Sequence, residues 1–335
     1  MSTTKSPSPA GARGAQAGAS PLPEVRGAQA GASPLPEVRG AQAGASPLPE
    51  VRGAQATSHE GPATRTPRRK HLVTLAWVLL AATVGVQIAF PLTGGGTLPL
   101  TVASVVLLAS ASALHLAATR GFGAAIALVV IAGGGGLLAE AIGVSTGFPF
   151  GTYAYTDGLG LKVLGVPVLV PLAWIMMSWP ALAVTRRLVG ATRLSGTRAR
   201  VVTALLGAYA LTAWDVFLDP QMVDQGHWTW SFPTPSLPGV DDIPLTNFAG
   251  WLLVSFLMIA ILDRLIGAGD AADADDAVPV TAYLWTYFSS VMAHAMFFGR
   301  PTVALTGAVV MGAVAIPVLV LEVRAFRSRR HGASV

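Results

Sequence analysis

From residue 72 to residue 323 the chain alternates long apolar runs with short polar breaks. Eight runs stand out, at approximately 72–91, 98–117, 122–144, 164–185, 201–219, 247–266, 281–298 and 302–323. Each is close to the roughly 20 residues a helix needs to cross the hydrocarbon core of a bilayer. The pattern predicts an all-α polytopic membrane protein of about eight transmembrane helices. The fourth run carries Pro167, Pro171 and Pro180. Membrane helices tolerate proline where neighbours satisfy the freed carbonyls.

The basic residues fix an orientation. Alternate breaks carry Arg65, Arg68, Arg69 and Lys70, then Arg120, then Arg186, Arg187, Arg193, Arg198 and Arg200, then Arg264, then Arg324, Arg327, Arg329 and Arg330. The breaks between them hold only Lys162 and Arg300. The positive-inside rule then puts both termini in the cytoplasm. The expected location is the cell membrane (bacterial cytoplasmic membrane), as a multi-pass chain. Removing or adding one span would destroy this asymmetry.

Composition agrees. Of 335 residues, 52% are hydrophobic and only 12% charged, and the mean hydropathy is +0.58, too apolar for a soluble globular chain. The net charge of +5 does not point to nucleic acid, because the basic residues flank apolar segments and form no patch among aromatics. The absence of cysteine excludes disulfides, thiolate metal sites and thiol catalysis. Residues 1–64 stand apart. "RGAQAGASPLPEV" starts at Arg13, recurs at Arg26 and Arg39, and begins again at Arg52, a period of 13 residues. Rich in Ala, Gly, Pro and Ser, this stretch buries too little to offset ordering entropy. It is expected to be a disordered low-complexity tail, and it does not resemble a signal peptide. The expected organisation is thus a tail over 1–64, an eight-helix transmembrane domain over 65–330 and a short polar C-terminal tail over 331–335.

With the orientation set, the depths of the unusual polar residues can be read. Glu140 lies near the outer end of the third span. Asp219 lies at the outer end of the fifth, with Asp215 about 6 Å deeper on the same face. Asn247, the only asparagine, opens the sixth span with Trp251 one turn below, and His294 nears the outer end of the seventh. The outer loops add Tyr153, Tyr155, His227, Trp228 and Trp230. Structural readings stand beside these. The tryptophans and tyrosines also fit an interfacial aromatic belt, Asp219 a helix end and His294 a packing histidine. Asp224, Asp241 and Asp242 fit solvated loop charges, and the run "GGGG" at 133–136 fits close helix packing. His115, Asp263 and Glu322 lie near cytoplasmic ends and are given no role. Glu140 and Asp215 are harder to assign to structure, since a carboxylate within a span costs a few kcal/mol or more unless paired or solvated.

Four stretches carry a resemblance: "GFPFGTYAYTDGLG" (147–160), "VPVLVPLAWIMMSW" (166–179), "AWDVFLDPQMVDQGHWTW" (213–230) and "IPLTNFAGWLL" (243–253). Over roughly residues 70–325 the chain resembles the membrane-integral carotenoid biosynthesis family, which includes the carotenoid 1,2-hydratases of the CruF type. The resemblance implies addition of water to the terminal 1,2 double bond of an acyclic carotenoid end of lycopene, γ-carotene or C50 type, giving a tertiary alcohol. It also implies a hydrophobic polyene as substrate, the lipid bilayer as surroundings, and an elongase or desaturase as candidate partners. It brings no catalytic residues with it.

The residues suit that chemistry. Protonating an unactivated alkene needs an acid kept protonated until used, as in a carboxyl held in apolar surroundings beside a second carboxylate. Asp215 and Asp219, four residues apart, form such a pair. Pro220 predicts that the helix ends at Asp219, at the negative end of its dipole. Aromatic faces stabilise the resulting tertiary carbocation, a role open to Trp214, Tyr155, Trp228, Trp230 and Trp251, with Tyr153 beside them. The second aspartate or Glu140 suits the base that delivers water, and Asn247, His227 and His294 are candidates for binding substrate or orienting that water. The expectation is that Asp215 and Glu140 are the essential carboxylates with Asp219 assisting, and that neither cofactor nor metal is needed.

Other readings stay open. A cyclase or isomerase begins with the same protonation. An oxygen-dependent di-iron hydroxylase needs histidine clusters that the six histidines at 59, 71, 115, 227, 294 and 331 do not form. A prenyl-adding elongase needs paired Asp-rich motifs that are missing. A proton-coupled transporter would need a polar path across the whole membrane, and the cytoplasmic half offers little beyond His115.

Overall fold

The computed structural model describes residues 67–93, 97–267 and 275–332. The expected tail over 1–64 lies outside these, as do 333–335 of the C-terminal tail. The chain runs through α1 (Pro67–Leu92), α2 (Leu98–Arg120), α3 (Phe122–Leu128), a π-helical segment (Val129–Gly134), α4 (Gly135–Thr146), α5 (Leu169–Gly190), α6 (Gly196–Asp224), α7 (Leu245–Leu265), α8 (Ala277–Met296) and α9 (Pro301–Gly332). The π segment joins α3 and α4 into one stretch, Phe122–Thr146. The eight apolar runs thus become eight long helical stretches, an all-α multi-pass membrane fold.

Seven of the stretches are long and apolar enough to cross a membrane. The exception is α8, which has the length, 20 residues, but dilutes its apolarity with Thr286, Ser289, Ser290 and His294. α8 nevertheless packs within the bundle, against α9 and α5. The helices lie side by side, α1 on α2, α2 on α5, α5 on α6, and α6 on α7 and α9. The most enclosed helices are α5 and α6, and Trp174, Trp179, Met177, Leu182, Leu211 and Phe217 fill the space between neighbours. The outer surface is apolar. Val78, Ile126, Val130, Leu138, Leu305 and Val309 are exposed, whereas Glu140, Asp215, Asp219, Asn247, His115 and His294 are buried. Hydrocarbon on the outside and polar groups inside is the arrangement of helices solvated by lipid.

Boundaries differ from the apolar runs in three informative places. The fourth helix begins at Leu169, not 164, because Lys162–Val163 (β2) and Val166–Pro167 (β3) form an antiparallel pair ahead of it. The last helix continues to Gly332, so the polar tail expected over 331–335 starts within it. Most consequential is α6, which does not stop at Asp219 but runs through Pro220 to Asp224. Proline removes a single N–H, and Asp219 is clamped by side chains from two other elements. The final turn is closed by Gln225 N donating to Gln221 O and His227 N donating to Met222 O. The negative helix end therefore lies beyond Asp219, and the dipole argument for that residue falls away.

The two loops at the Glu140 end of the bundle fold into a small β cap. Tyr153–Tyr155 (β1) pairs antiparallel with Trp228–Trp230 (β4), and Ser236–Leu237 (β5) pairs with Val240–Pro244 (β6). Gly147, in the left-handed conformation with φ of 79°, ends α4 and turns the chain into this cap.

Candidate active site

Asp215 and Asp219 sit one turn apart on the face of α6 that meets α7. Asn247, in the first turn of α7, donates its amide nitrogen to Asp215 Oδ2 at 2.9 Å and to Asp219 Oδ2 at 2.5 Å. The indole of Trp228 donates to Asp219 Oδ1 at 3.1 Å. Asp215 is fully buried, and its Oδ1 has no hydrogen-bond partner among the described residues. One amide thus ties two carboxyls into a unit, and a pair so joined exchanges protons as a pair.

Glu140 faces this pair from α4 and is held differently. Tyr153 Oη donates to Glu140 Oε2 at 2.5 Å, Tyr155 Oη donates to the same oxygen at 2.8 Å, and Trp174 Nε1 donates to Oε1 at 3.3 Å. Every neighbour is a donor, the environment that suits an acceptor-only carboxylate. Both phenols are kept neutral: burial, then the charge of Glu140, pushes their ionisation above the ordinary tyrosine range. Two glycines of α4 permit this approach. A Cβ on Gly136 would lie 2.6 Å from the Trp174 ring, and one on Gly143 would lie 2.7 Å from Tyr153 Oη.

The β cap explains how tyrosines and tryptophans from distant loops meet. Antiparallel pairing sets Tyr153 opposite Trp230 and Tyr155 opposite Trp228. Side chains in a strand alternate faces, so all four rings lie on the side turned to the helices while Ala154 and Thr229 face outward. Tyr155 meets Trp228 edge-on at 5.5 Å, and Tyr153 lies 5.8 Å from Trp230. On the helix side Trp174 stacks on Trp251 at 4.1 Å between centroids, with Trp214 edge-on to Trp251 at 6.1 Å.

These groups line a partly open cavity of about 80 Å³. Of the residues nominated from sequence, Glu140, Asp219, Tyr153, Tyr155, Trp228, Trp230, Asn247 and Trp251 line it. Asp215 does not; it stands behind Asp219 and reaches the cavity through Asn247. Trp214 backs Trp251 and borders a neighbouring cavity. His294 also lies on that neighbouring cavity, with its Nε2 3.1 Å from Phe217 O. His227 lines a third, outer cavity, and burial lowers its basicity. Trp174, Phe150 and Met176 line the site but were not nominated. Trp174 stands within one of the quoted motifs, and tryptophan amid an apolar run, here with Trp179 five residues on, is the signal that points to it.

A model of the carotenoid biosynthesis protein family matches residues 100–327, most of the chain and every residue of the cavity wall. The chain belongs to this family. The family match thus places this multi-pass membrane protein in carotenoid biosynthesis. A stretch of 125 residues is 30% identical to the bisanhydrobacterioruberin hydratase of Haloarcula japonica, covering 37% of this chain and 40% of that relative. No solved structure matches the chain.

Proposed function

We propose that this family member is a hydro-lyase that adds water to the terminal 1,2 double bond of an acyclic carotenoid end group, giving a tertiary alcohol. The observation that carries the reading is a cavity with aromatic walls and two chemically distinct carboxyl stations, the Asp215–Asn247–Asp219 unit and Glu140 with its three donors. The similarity to a hydratase supports it.

In this reading the end group enters the cavity, and Asp219, the member of the pair on the wall, gives its proton to the alkene carbon remote from the two methyl groups. The positive charge forms on the dimethyl carbon. The faces of Trp251, Trp174 and Trp228 stabilise it without adding to it, and Glu140 supplies a compensating negative charge. Water attacks the cation, its oxygen bonding to the tertiary carbon, and the surplus proton passes to a carboxylate. Return of one proton to the aspartate pair restores the starting state. No external oxidant or reductant enters the balance: alkene plus water gives alcohol. The positive-inside pattern supports a cytoplasmic-membrane protein with this cavity toward the outer leaflet.

Product mass tests the proposal. Residues 65–335 are produced in a host that accumulates lycopene, and in a second host with a C50 acyclic carotenoid. Gain of one water per reacted end, lost in Glu140→Gln and in Asp219→Asn, is the expected result. A new pigment of unchanged mass would replace hydration by cyclisation or isomerisation, which begins with the same protonation. Full turnover in both variants would overturn the carboxylate assignment.

A further inference from the structure

Two more cavities adjoin the one that holds the carboxyl groups. The nearer lies among α1, α2, α6 and α8 and shares Thr101, Val105, Met176, Leu218 and Met222 with it as a common wall. The farther is lined by Asp224, Gln225, His227 and Arg300, and it shares Thr101, Gln221 and Phe298 with the nearer one. Thr101 borders all three. They form a series from a charged mouth, where Arg300 pairs with Asp224, to the buried carboxyls.

The middle cavity is unusual for its depth in a lipid-solvated bundle. Its wall carries Gln87, Ser104, Thr286, Ser289, Ser290 and His294. Gln87 Nε2 donates to Ser104 Oγ at 2.9 Å and Gln87 Oε1 accepts from Trp285 Nε1 at 2.7 Å, which fixes the amide at the wall. His294 is buried, and its Nδ1 has no hydrogen-bond partner among the described residues. Polar side chains within a span are costly unless something meets them. A space ringed by several such groups is one in which water finds the two to four partners it needs. A hydrocarbon chain there would leave the buried His294 Nδ1 unmet and offer nothing to the spare lone pairs of the hydroxyls.

We propose that the middle cavity is a water site that feeds the carboxylate cavity, with Thr101 as the positioning residue at the junction. The inference rests on hydration being the reaction. It assigns the second half of that reaction, capture of the cation, to a route separate from the one by which the polyene enters. Water passes from the mouth beside Gln221 into the middle cavity, and Thr101 Oγ1 hands one molecule on. The oxygen of that water bonds to the cationic carbon while a carboxylate takes one of its protons.

The two halves can be read separately in D2O. Membranes containing the full chain are incubated with an acyclic carotenoid. Alcohol formation reports capture, and deuterium in the unhydrated pigment reports protonation followed by proton loss. In Thr101→Val the alcohol should fall at least tenfold while deuterium in the unhydrated pigment holds or rises, and Thr101→Ser should restore the wild-type ratio. Ser290→Leu, which fills the middle cavity from another helix, should give the same split. A parallel fall of both signals in Thr101→Val and Ser290→Leu would overturn the water route and point to the polyene body in that cavity. Unchanged alcohol in both would overturn it as well. A wild-type protein that forms no alcohol removes the hydratase reading itself, a result distinct from either.

Discussion

Asn247 on α7 lies 2.5 Å from Asp219 on α6, and the same amide nitrogen reaches Asp215 at 2.9 Å. This is the only asparagine in the chain, placed where one donor serves two buried carboxyls. Leaving a buried polar group unpaired costs roughly 1–3 kcal/mol. Asn247→Leu should therefore lower the thermal unfolding temperature in detergent and cut alcohol formation at least tenfold, measured as pigment per unit of folded protein. A wild-type rate in this variant would show that the pairing is idle in the reaction.

Asp219 lies on the cavity wall and Asp215 behind it, so the two amide variants should differ. Asp219→Asn removes the proton donor and should reduce hydration about 10²–10⁴-fold, the usual size of a general-acid contribution. Asp215→Asn keeps an oxygen toward Asn247 and should cost less, on the order of tenfold. The comparison uses initial rates with one carotenoid in membranes of equal enzyme content. The reverse order would make Asp215 the donor.

Trp174 does two things at once, stacking on Trp251 and donating to Glu140. Trp174→Phe retains an aromatic face and loses the N–H, while Trp174→Leu loses both. If the face stabilises a cation by about 1–2 kcal/mol, Trp174→Leu should lower kcat roughly tenfold below Trp174→Phe, with KM changing less. Equal kcat values for the two variants would confine Trp174 to its hydrogen bond.

Tyr153 and Tyr155 give the protein an alkaline limit. Both are held neutral in the fold, above the ordinary range, whereas an unfolded tyrosine ionises near about pH 10. The folded state therefore keeps protons that the unfolded state gives up. The stability they contribute is fully present below about pH 10 and is lost as pH rises from there through the folded-state value. Thermal unfolding in detergent should be insensitive to this pair at neutral pH and fall above pH ~10, with a shallower fall in Tyr153→Phe. Phenolate absorbance from Tyr153 at lower pH, detected as the difference between wild type and Tyr153→Phe, would contradict this.

What the sequence by itself determined follows from chemistry that is local along the chain. Apolar runs of bilayer length and an alternation of basic breaks state the number of long helices and their alternating direction. A carboxylate within a span stands out because hydrocarbon penalises it wherever the fold puts it. That reasoning singles out Glu140 and Asp215, with Asp219 one turn from the latter, and the quoted motifs carry the family resemblance. The end of α6 is not legible from Pro220, since proline removes one N–H while the turn beyond it is closed by backbone bonds, Gln225 N to Gln221 O and His227 N to Met222 O. The β cap was invisible because strands of two to five residues are too short to show a period. Only the tertiary structure decided that Asp219, not Asp215, faces the cavity, that Trp174 is part of the site, and that His227 and His294 belong to its neighbours. Those outcomes depend on which faces of α4, α5, α6 and α7 meet, and that is set by close approaches such as Gly136 against Trp174, a contact between residues whose spacing along the chain carries no mark of it.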